Sequence, residues 1–261
     1  MLSKKDLMNL LAVSSENEIA FKLRNNSFVA ASYSDSGELR TYLTQTPRET
    51  TINKYVVIGL MFMAHMLVGF SWRAFIKAGN MFIILLHQLM TFLYLITASY
   101  LILSIKAKKS TKKNHAAEHM VANYMIKNLK VPENISEFKS ETRFSPFCGI
   151  MAFARILMAT FFKYFLSSTL IAILGCTMNL PEKFLSGIGF FILPVAFLTA
   201  IVAKSSSFWK NTRVYDIYEK ICMGVSYMLQ AASTSKPSEK ELELACAVVN
   251  EWYRQNMNLE E

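Results

Sequence analysis

The chain alternates between long apolar runs and polar segments, and the apolar runs dominate the pattern. Four runs carry little or no formal charge, and they cover residues 55–72, 81–105, 150–175 and 184–203. Each run is about long enough to cross a hydrocarbon core of ~30 Å as a helix that rises about 1.5 Å per residue. The sequence therefore predicts a mainly α, polytopic membrane protein with about four transmembrane helices.

Shorter elements are predicted in the polar segments. Near the N-terminus, SFVAASY and ELRTYLTQT alternate apolar and polar residues around the turn SDSG. This pattern predicts a small β-hairpin with Gly37 at a positive φ. A final helix is predicted from Ser238, with Glu241 completing a capping box. Helical patterns cover three further stretches, at about 4–11, 114–129 and 214–230.

The distribution of lysine and arginine predicts the orientation in the membrane. The first 50 residues lack the pattern of a signal peptide, so the first apolar run is expected to act as its own insertion signal. With both termini inside, 23 basic residues lie in cytoplasmic segments and 3 in outer loops. This bias follows the positive-inside rule. We therefore expect a multi-pass protein of the cell membrane with cytoplasmic N and C termini.

The net charge of +9 is explained largely by this topology, so nucleic acid is not an expected partner. The lysines that follow the second run are expected to bind anionic lipid headgroups, at about 1 kcal/mol each near the surface. A homo-oligomer or a membrane protein partner is also compatible with the sequence. The predicted parts are a cytoplasmic segment with the hairpin (1–54), transmembrane helices 1–2 (55–105), a cytoplasmic loop (106–147), transmembrane helices 3–4 (148–203) and a cytoplasmic helical tail (204–261).

The cytoplasmic loop contains the stretch NHAAEHMVANY, in which His115, Glu118 and His119 form an H-x-x-E-H pattern. Histidines four residues apart lie on one face of a helix, so both imidazoles can reach one Zn²⁺. This order is the inverted zincin arrangement, in which the glutamate is the general base. The alternative is an ordinary polar helix whose histidines are solvated, and the spacing alone leaves both interpretations open.

Two downstream residues are candidates to complete a metal site. Cys148 lies in RFSPFCGIM, at the cytoplasmic mouth of the third run, and Glu141 precedes it in the same loop. A lone cysteine at a membrane boundary often has only a packing role, so that alternative remains open. The four cysteines form no C-x-x-C pair and three are expected on the reducing side, which disfavours disulfides.

The order of these motifs resembles the YqhQ-like family of bacterial integral membrane proteins, described as predicted metal-dependent enzymes. HAAEH, Tyr124 and the stretch VPENISEFKSETRFSPFCG are similar to the family signature. So are the hairpin with SDSGEL and the closing segment MLQAASTSKPSEKELELACAVVNEW, with its Leu-Gln, Thr/Ser and Pro. The resemblance spans most of the chain. It implies that His115, Glu118, His119, Arg143 and Cys148 belong to the family's site.

The chain departs from the family pattern at several of these positions. Ala116 stands where the family usually has glycine, and Met120 stands where it usually has lysine. Ser145 occupies the position of a family histidine, and LLAVSSENEIAF lacks the glycine-rich N-terminal motif. The resemblance therefore implies a divergent member with an altered site, in which one ligand is replaced.

Four ionisable or polar residues fall inside the predicted spans: His65, His87, Arg155 and Lys163. Such residues usually face a bundle interior or a water-filled path. Arg155 lies near the cytoplasmic end and can reach the interface. Lys163 either lines an internal polar cavity or shows that the third run begins as an interfacial helix. For the two histidines, the simpler expectation is a hydrogen bond to a neighbouring helix.

Two functional hypotheses follow from the sequence. In the first, the protein is a metal-dependent hydrolase: His115, His119 and Cys148 bind Zn²⁺, Glu118 is the general base and Arg143 steadies an anionic intermediate. In the second, it is a non-catalytic membrane scaffold or partner subunit, and the His/Cys cluster pins the central loop. The replacement at Ser145 favours the second hypothesis.

Overall fold

The computed structural model describes residues 12–45, 81–106, 108–178 and 212–258, with a few single positions from 181 to 199. The predicted helix at 4–11, the first apolar run with His65 and most of the fourth run lie outside the described residues. The chain divides into two compact units, each built from several segments. The sheet unit is formed by 1–51, 103–148 and 230–261, and the helical unit by 52–102 and 149–229.

The sheet unit begins with a four-stranded antiparallel meander. Its strands are β1 (Ala12–Ser14), β2 (Glu18–Lys22), β3 (Phe28–Tyr33) and β4 (Leu39–Thr44), paired in chain order. β3 and β4 are the predicted hairpin, and Gly37 has a φ of 82° in its turn. The prediction missed β1 and β2, since a three-residue strand is too short to show a period of two.

The pairing register gives the sheet one apolar face. Ser14 lies opposite Ile19, and Phe21 lies opposite both Ala12 and Val29, so these side chains share that face. Residues directly opposite each other in antiparallel strands point to the same side, which makes this face the inner one. Burying a side chain such as Phe21 on it contributes roughly 1.5–3 kcal/mol.

Two helices cover this inner face. They are α2 (Lys109–Asn128) and α5 (Glu239–Asn258), and both contact the sheet and each other. The Glu241 half of the predicted capping box is present: the Glu241 carboxylate accepts from the Ser238 N–H at 2.7 Å and also from the Ser238 hydroxyl. The shared core combines residues from the sheet, from both helices and from Phe138, which follows a short 3₁₀ helix (Ile135–Glu137). Its fully buried members include Ile19, Phe21, Val29, Val121, Met125, Phe138, Val248 and Val249.

The helical unit contains most of three helices, α1 (Met81–Lys106), α3 (Gly149–Met178) and α4 (Arg213–Ser233). The described part of the chain is thus mainly helical, with five helices and one sheet. Among the described residues, two helical segments are long and apolar enough to cross a bilayer, Leu86–Ile105 and Gly149–Leu170. They correspond to the second and third predicted runs.

Polar residues of the helical unit are mostly paired or buried. Arg155 forms an ion pair with Glu219 of α4 at 2.9 Å, where the sequence predicted only a side chain reaching the interface. His87 is buried, and the neighbouring Gln88 donates to the hydroxyl of Ser168. Lys163 is partly exposed.

Candidate metal centre

Three residues of the H-x-x-E-H pattern lie on α2, as the sequence predicted. One turn of this helix brings His115 and His119 together, with ring centroids 4.3 Å apart. Glu118 lies on the same face, since it is three residues after His115. The predicted helix was expected from about residue 114 and begins at Lys109, because the preceding lysines are compatible with helix.

His119 is buried, and only one of its ring nitrogens has a hydrogen-bond partner. Nδ1 lies 2.7 Å from the carbonyl oxygen of Arg143, which can only accept, so Nδ1 carries the proton. Nε2 is buried and has no hydrogen-bond partner within the described residues. Burial lowers the pKa of His119 to about 3, and the charge of His115 acts in the same direction. The ring is therefore neutral at pH 7, with its lone pair on the unpartnered Nε2.

Cys148 completes a group of three donors. Its Sγ lies 3.5 Å from Nε2 of His115, and the three donor atoms of His115, His119 and Cys148 lie within 4.8 Å of one another. The 3.5 Å separation also fits a hydrogen bond between a thiol and an imidazole. This group could hold a metal ion.

The segment that leads to Cys148, here called the site loop (residues 142–148), is held through its backbone. Asn123 lies one turn after His119 on α2, and its Nδ2 donates to the carbonyls of Thr142 and Phe144, each at 2.9 Å. Nδ1 of His119 binds the carbonyl of Arg143, which lies between these two residues. Three successive carbonyls are therefore bound by two side chains at i and i+4 of the same helix.

Gln230 binds both backbone polar groups of Ser145 in the site loop, the N–H and the carbonyl. Its N–H donates to Oε1 of Gln230 at 2.8 Å, and its carbonyl accepts from Nε2 of the same amide at 2.9 Å. The Ser145 hydroxyl accepts from the Phe147 N–H at 3.3 Å. At the position of the family histidine, the chain thus has a small side chain that caps its own loop.

Glu118 is held against the sheet. Ser14 at the end of β1 donates its hydroxyl to the Glu118 carboxylate, and the strand register points Ser14 toward α2. Burial raises the pKa of Glu118, while the charge of His115 and the hydrogen bond from Ser14 act in the opposite direction. A partly buried carboxylate beside the two histidines is thereby fixed in place.

The side chains of the two remaining predicted site residues, Glu141 and Arg143, contact other groups. The Glu141 carboxylate pairs with Lys127 at 2.9 Å, and Glu141 is not part of the three-donor group. Arg143 contributes its backbone carbonyl to His119, while its guanidinium lies 5.2 Å from the ring centre of Phe144.

Sequence reasoning missed the residues that hold the site in place. Ser14, Asn123 and Gln230 have no metal-ligand chemistry, and their partners are distant in sequence. Gln230 alone had a signal, because it is the glutamine of the Leu-Gln motif in the tail.

The comparisons with known proteins identify a family for this chain. No curated protein and no solved structure matches the chain. One family model, described as "Protein of unknown function (DUF1385)", matches residues 13–255. This match includes the whole H-x-x-E-H helix, the site loop and nearly all of the tail. The chain belongs to this DUF1385 family.

Proposed function

We propose that the protein binds one Zn²⁺ through His115, His119 and Cys148 and uses it for hydrolysis. The observation that carries the proposal is the buried Nε2 of His119, which has no hydrogen-bond partner among the described residues and lies within 4.8 Å of the donor atoms of His115 and Cys148. The proton is fixed on the other ring nitrogen. A buried polar atom without a partner costs free energy, about 1–3 kcal/mol. A bound metal ion removes that cost.

The donor types and their separations fit zinc. In a tetrahedral site, a nitrogen about 2.1 Å and a sulfur about 2.3 Å from Zn²⁺ lie about 3.6 Å apart. The distance from His115 Nε2 to Cys148 Sγ is 3.5 Å. The hydrogen bond from His119 Nδ1 to a backbone carbonyl is the usual outer partner of a zinc-binding histidine.

Three protein ligands leave one position of a tetrahedral site for water, which is the arrangement of catalytic zinc sites. When bound, the metal would supply a water molecule whose pKa falls to about 7. Glu118, oriented by Ser14, is the group that would accept its proton. The role of Arg143 in steadying an anionic intermediate remains a prediction, and its carbonyl supports His119 directly.

The setting is proposed to be the cytoplasmic face of the cell membrane. Two helices of suitable length and the positive-inside bias support a multi-pass protein with cytoplasmic termini. The resemblance to YqhQ-like proteins, described as predicted metal-dependent enzymes, supports the same assignment. Anionic lipid headgroups are the expected partners of the lysines after α1.

Retention of the protein in membranes after an alkaline carbonate wash tests this placement in the membrane, and release of the protein into the supernatant would contradict it.

The proposal is tested by the metal content of detergent-purified protein, measured by elemental mass spectrometry. We expect about one zinc per chain in the wild type and a loss in His119→Ala and Cys148→Ser. Cys246→Ser is the matched control, because Cys246 is half-buried on α5 beside the Pro132 carbonyl and outside the donor group. A wild type that takes up no zinc when zinc is offered overturns the proposal.

A second candidate function is a non-catalytic scaffold in which the cluster is structural. It is favoured by one observation: His119 and Asn123 together hold three consecutive carbonyls of the site loop. Such a protein would bind zinc without hydrolysing a lipid-linked or peptide substrate, and would be insensitive to Glu118→Gln.

A further inference from the structure

Gln230 lies in the last turn of α4 and its side chain is fully buried. An amide that is removed from water must exchange all of its water hydrogen bonds for protein ones. Both polar atoms of the Gln230 amide are used on a single residue of the site loop, Ser145. The side chain therefore binds both the N–H and the carbonyl of one residue, as a residue of a neighbouring antiparallel strand would.

The Ser145 carbonyl connects this amide to the candidate metal centre. The Cys148 N–H donates to the same carbonyl at 3.4 Å, which closes a turn over the three residues that precede the thiol. The position of the Ser145 carbonyl therefore helps to fix the position of the Cys148 backbone. Displacing this peptide would move Sγ away from Nε2 of His115.

Gln230 is itself held rigidly. Its own carbonyl accepts from the N–H of Thr234 at 2.8 Å and from the Thr234 hydroxyl at 2.7 Å. The following segment is tied to α2, since the Ser235 N–H donates to the carbonyl of Lys112 at 3.1 Å. The backbone from which the Gln230 side chain extends is therefore held in place by the residues that follow it.

We propose that Gln230 is a positioning residue of the metal centre, which fixes the Ser145 peptide and thereby places the Cys148 thiolate beside the two histidines. The inference rests on the proposed metal binding. It assigns to the tail a part in building a site whose ligands lie elsewhere in the chain. Outer residues of this kind typically affect metal affinity about 10–100-fold.

The test uses full-length protein in detergent, loaded with Co²⁺ in place of zinc. Gln230→Met has a similar size and loses both hydrogen bonds to Ser145. We expect it to weaken Co²⁺ binding about 10–100-fold. The thiolate-to-cobalt charge-transfer absorption should fall, while the d–d absorption of histidine-bound cobalt persists at saturating metal. Gln255→Met on α5 is the matched control, because the Gln255 amide donates to Glu251 of its own helix and lies outside the site loop.

The outcomes separate the two proposals. A wild type without cobalt absorption overturns the proposed function and this inference together. A wild type that binds cobalt, with Gln230→Met unchanged in affinity and charge-transfer intensity, overturns the inference alone. If Gln230→Met loses its helical circular dichroism, Gln230→Glu replaces it as the test variant. Its carboxylate still accepts from the Ser145 N–H, which helps the fold, but it cannot donate to the Ser145 carbonyl and repels it. Wild-type affinity and thiolate absorption in that variant would contradict the positioning role.

Discussion

Nδ1 of His119 donates to the carbonyl oxygen of Arg143 at 2.7 Å, and this bond determines the chemistry of the other ring nitrogen. Because a carbonyl only accepts, the proton is fixed on Nδ1 and the lone pair is on Nε2. Nε2 is buried with no hydrogen-bond partner in the part of the chain that the structure describes. One contact thus supports the site loop and leaves the lone pair of Nε2 available for a metal ion.

The first prediction separates these two roles of His119. In His119→Asn, the amide NH₂ can replace Nδ1 as the donor to the Arg143 carbonyl, but no atom replaces Nε2. We expect this variant to lose bound zinc and to keep a thermal unfolding midpoint close to that of the metal-free wild type. Elemental mass spectrometry and circular dichroism measure the two properties on one sample.

His119→Ala is the control for that experiment, because it removes both atoms. It should lose the metal and also unfold at a lower temperature than His119→Asn. Full zinc content in His119→Asn would show that His119 is not a ligand.

The second prediction concerns Glu118. Glu118→Gln keeps the shape of the side chain and an oxygen that accepts from Ser14, but it has no base. We expect an unchanged zinc content and a loss of hydrolysis of about 10²–10⁴-fold, the usual contribution of a general base. The assay is metal-dependent hydrolysis of a panel of lipid-linked and peptide substrates. Retained turnover in this variant would remove Glu118 from the mechanism and leave the scaffold interpretation in place.

The third prediction tests how the site loop is held on α2. Asn123→Leu is close in size and removes two hydrogen bonds to loop carbonyls. At about 0.5–1.5 kcal/mol per bond, the free energy of unfolding should fall by roughly 1–3 kcal/mol. Asn128→Leu is the matched control on the same helix, since Asn128 donates to the helical carbonyl of Tyr124 and to no loop carbonyl among the described residues. An equal effect of the two substitutions on the unfolding midpoint would contradict a specific role for Asn123.

The fourth prediction is a pH dependence of stability that involves Glu137. Its carboxylate accepts from the Lys130 ammonium at 2.8 Å and from the Tyr124 hydroxyl. These hydrogen bonds, with that of Lys130 the largest cause, lower the pKa of Glu137 from 4.5 to about 2. Because the folded-state pKa is the lower one, the stabilisation is present above about pH 4.5 and is lost as the pH falls toward 2.

Glu137→Gln should therefore unfold at a lower temperature than the wild type at pH 7, and the difference should shrink below pH 4.5. Thermal denaturation followed by circular dichroism across this range measures it. Glu239→Gln is the control, because Glu239 is an exposed residue paired with Lys139 on the surface. A difference that stays constant down to pH 2 would exclude the titration of Glu137 as its cause.

Much of the local structure follows from periodicity and spacing. The hairpin around Gly37, the helix with His115 and His119, and the capped helix after Ser238 are all present as predicted. Their signals are local, since a turn residue, an i, i+4 pair and a capping box each act within a few residues. β1 was missed because three residues are too few to show a period of two, and β2 (EIAFK) is identified as a strand only by its pairing with β1 and β3.

The sequence predicted the candidate metal-binding residues, but it did not predict the residues that hold them in place. Cys148 was expected near the histidines only because of its place in the motif order, and the structure puts its Sγ 3.5 Å from His115. Glu141 was a second candidate from its place in the same loop, without support from the family resemblance, and it pairs with Lys127 instead. Which of two nearby donors turns toward the histidines depends on how the site loop is folded, and that is set by contacts from residues far along the chain.

The sequence by itself determined the apolar runs, the uneven distribution of basic residues along the chain and the helix face that carries the two histidines. Those properties depend on composition and short-range spacing. Only the tertiary structure decided that the N-terminal segment, the central loop and the tail form one unit around a shared core. It also decided that Ser14 and Gln230 reach the neighbourhood of the metal centre. The reason is physical: none of these three segments can bury its own apolar face alone, and burial against the others brings their polar side chains together.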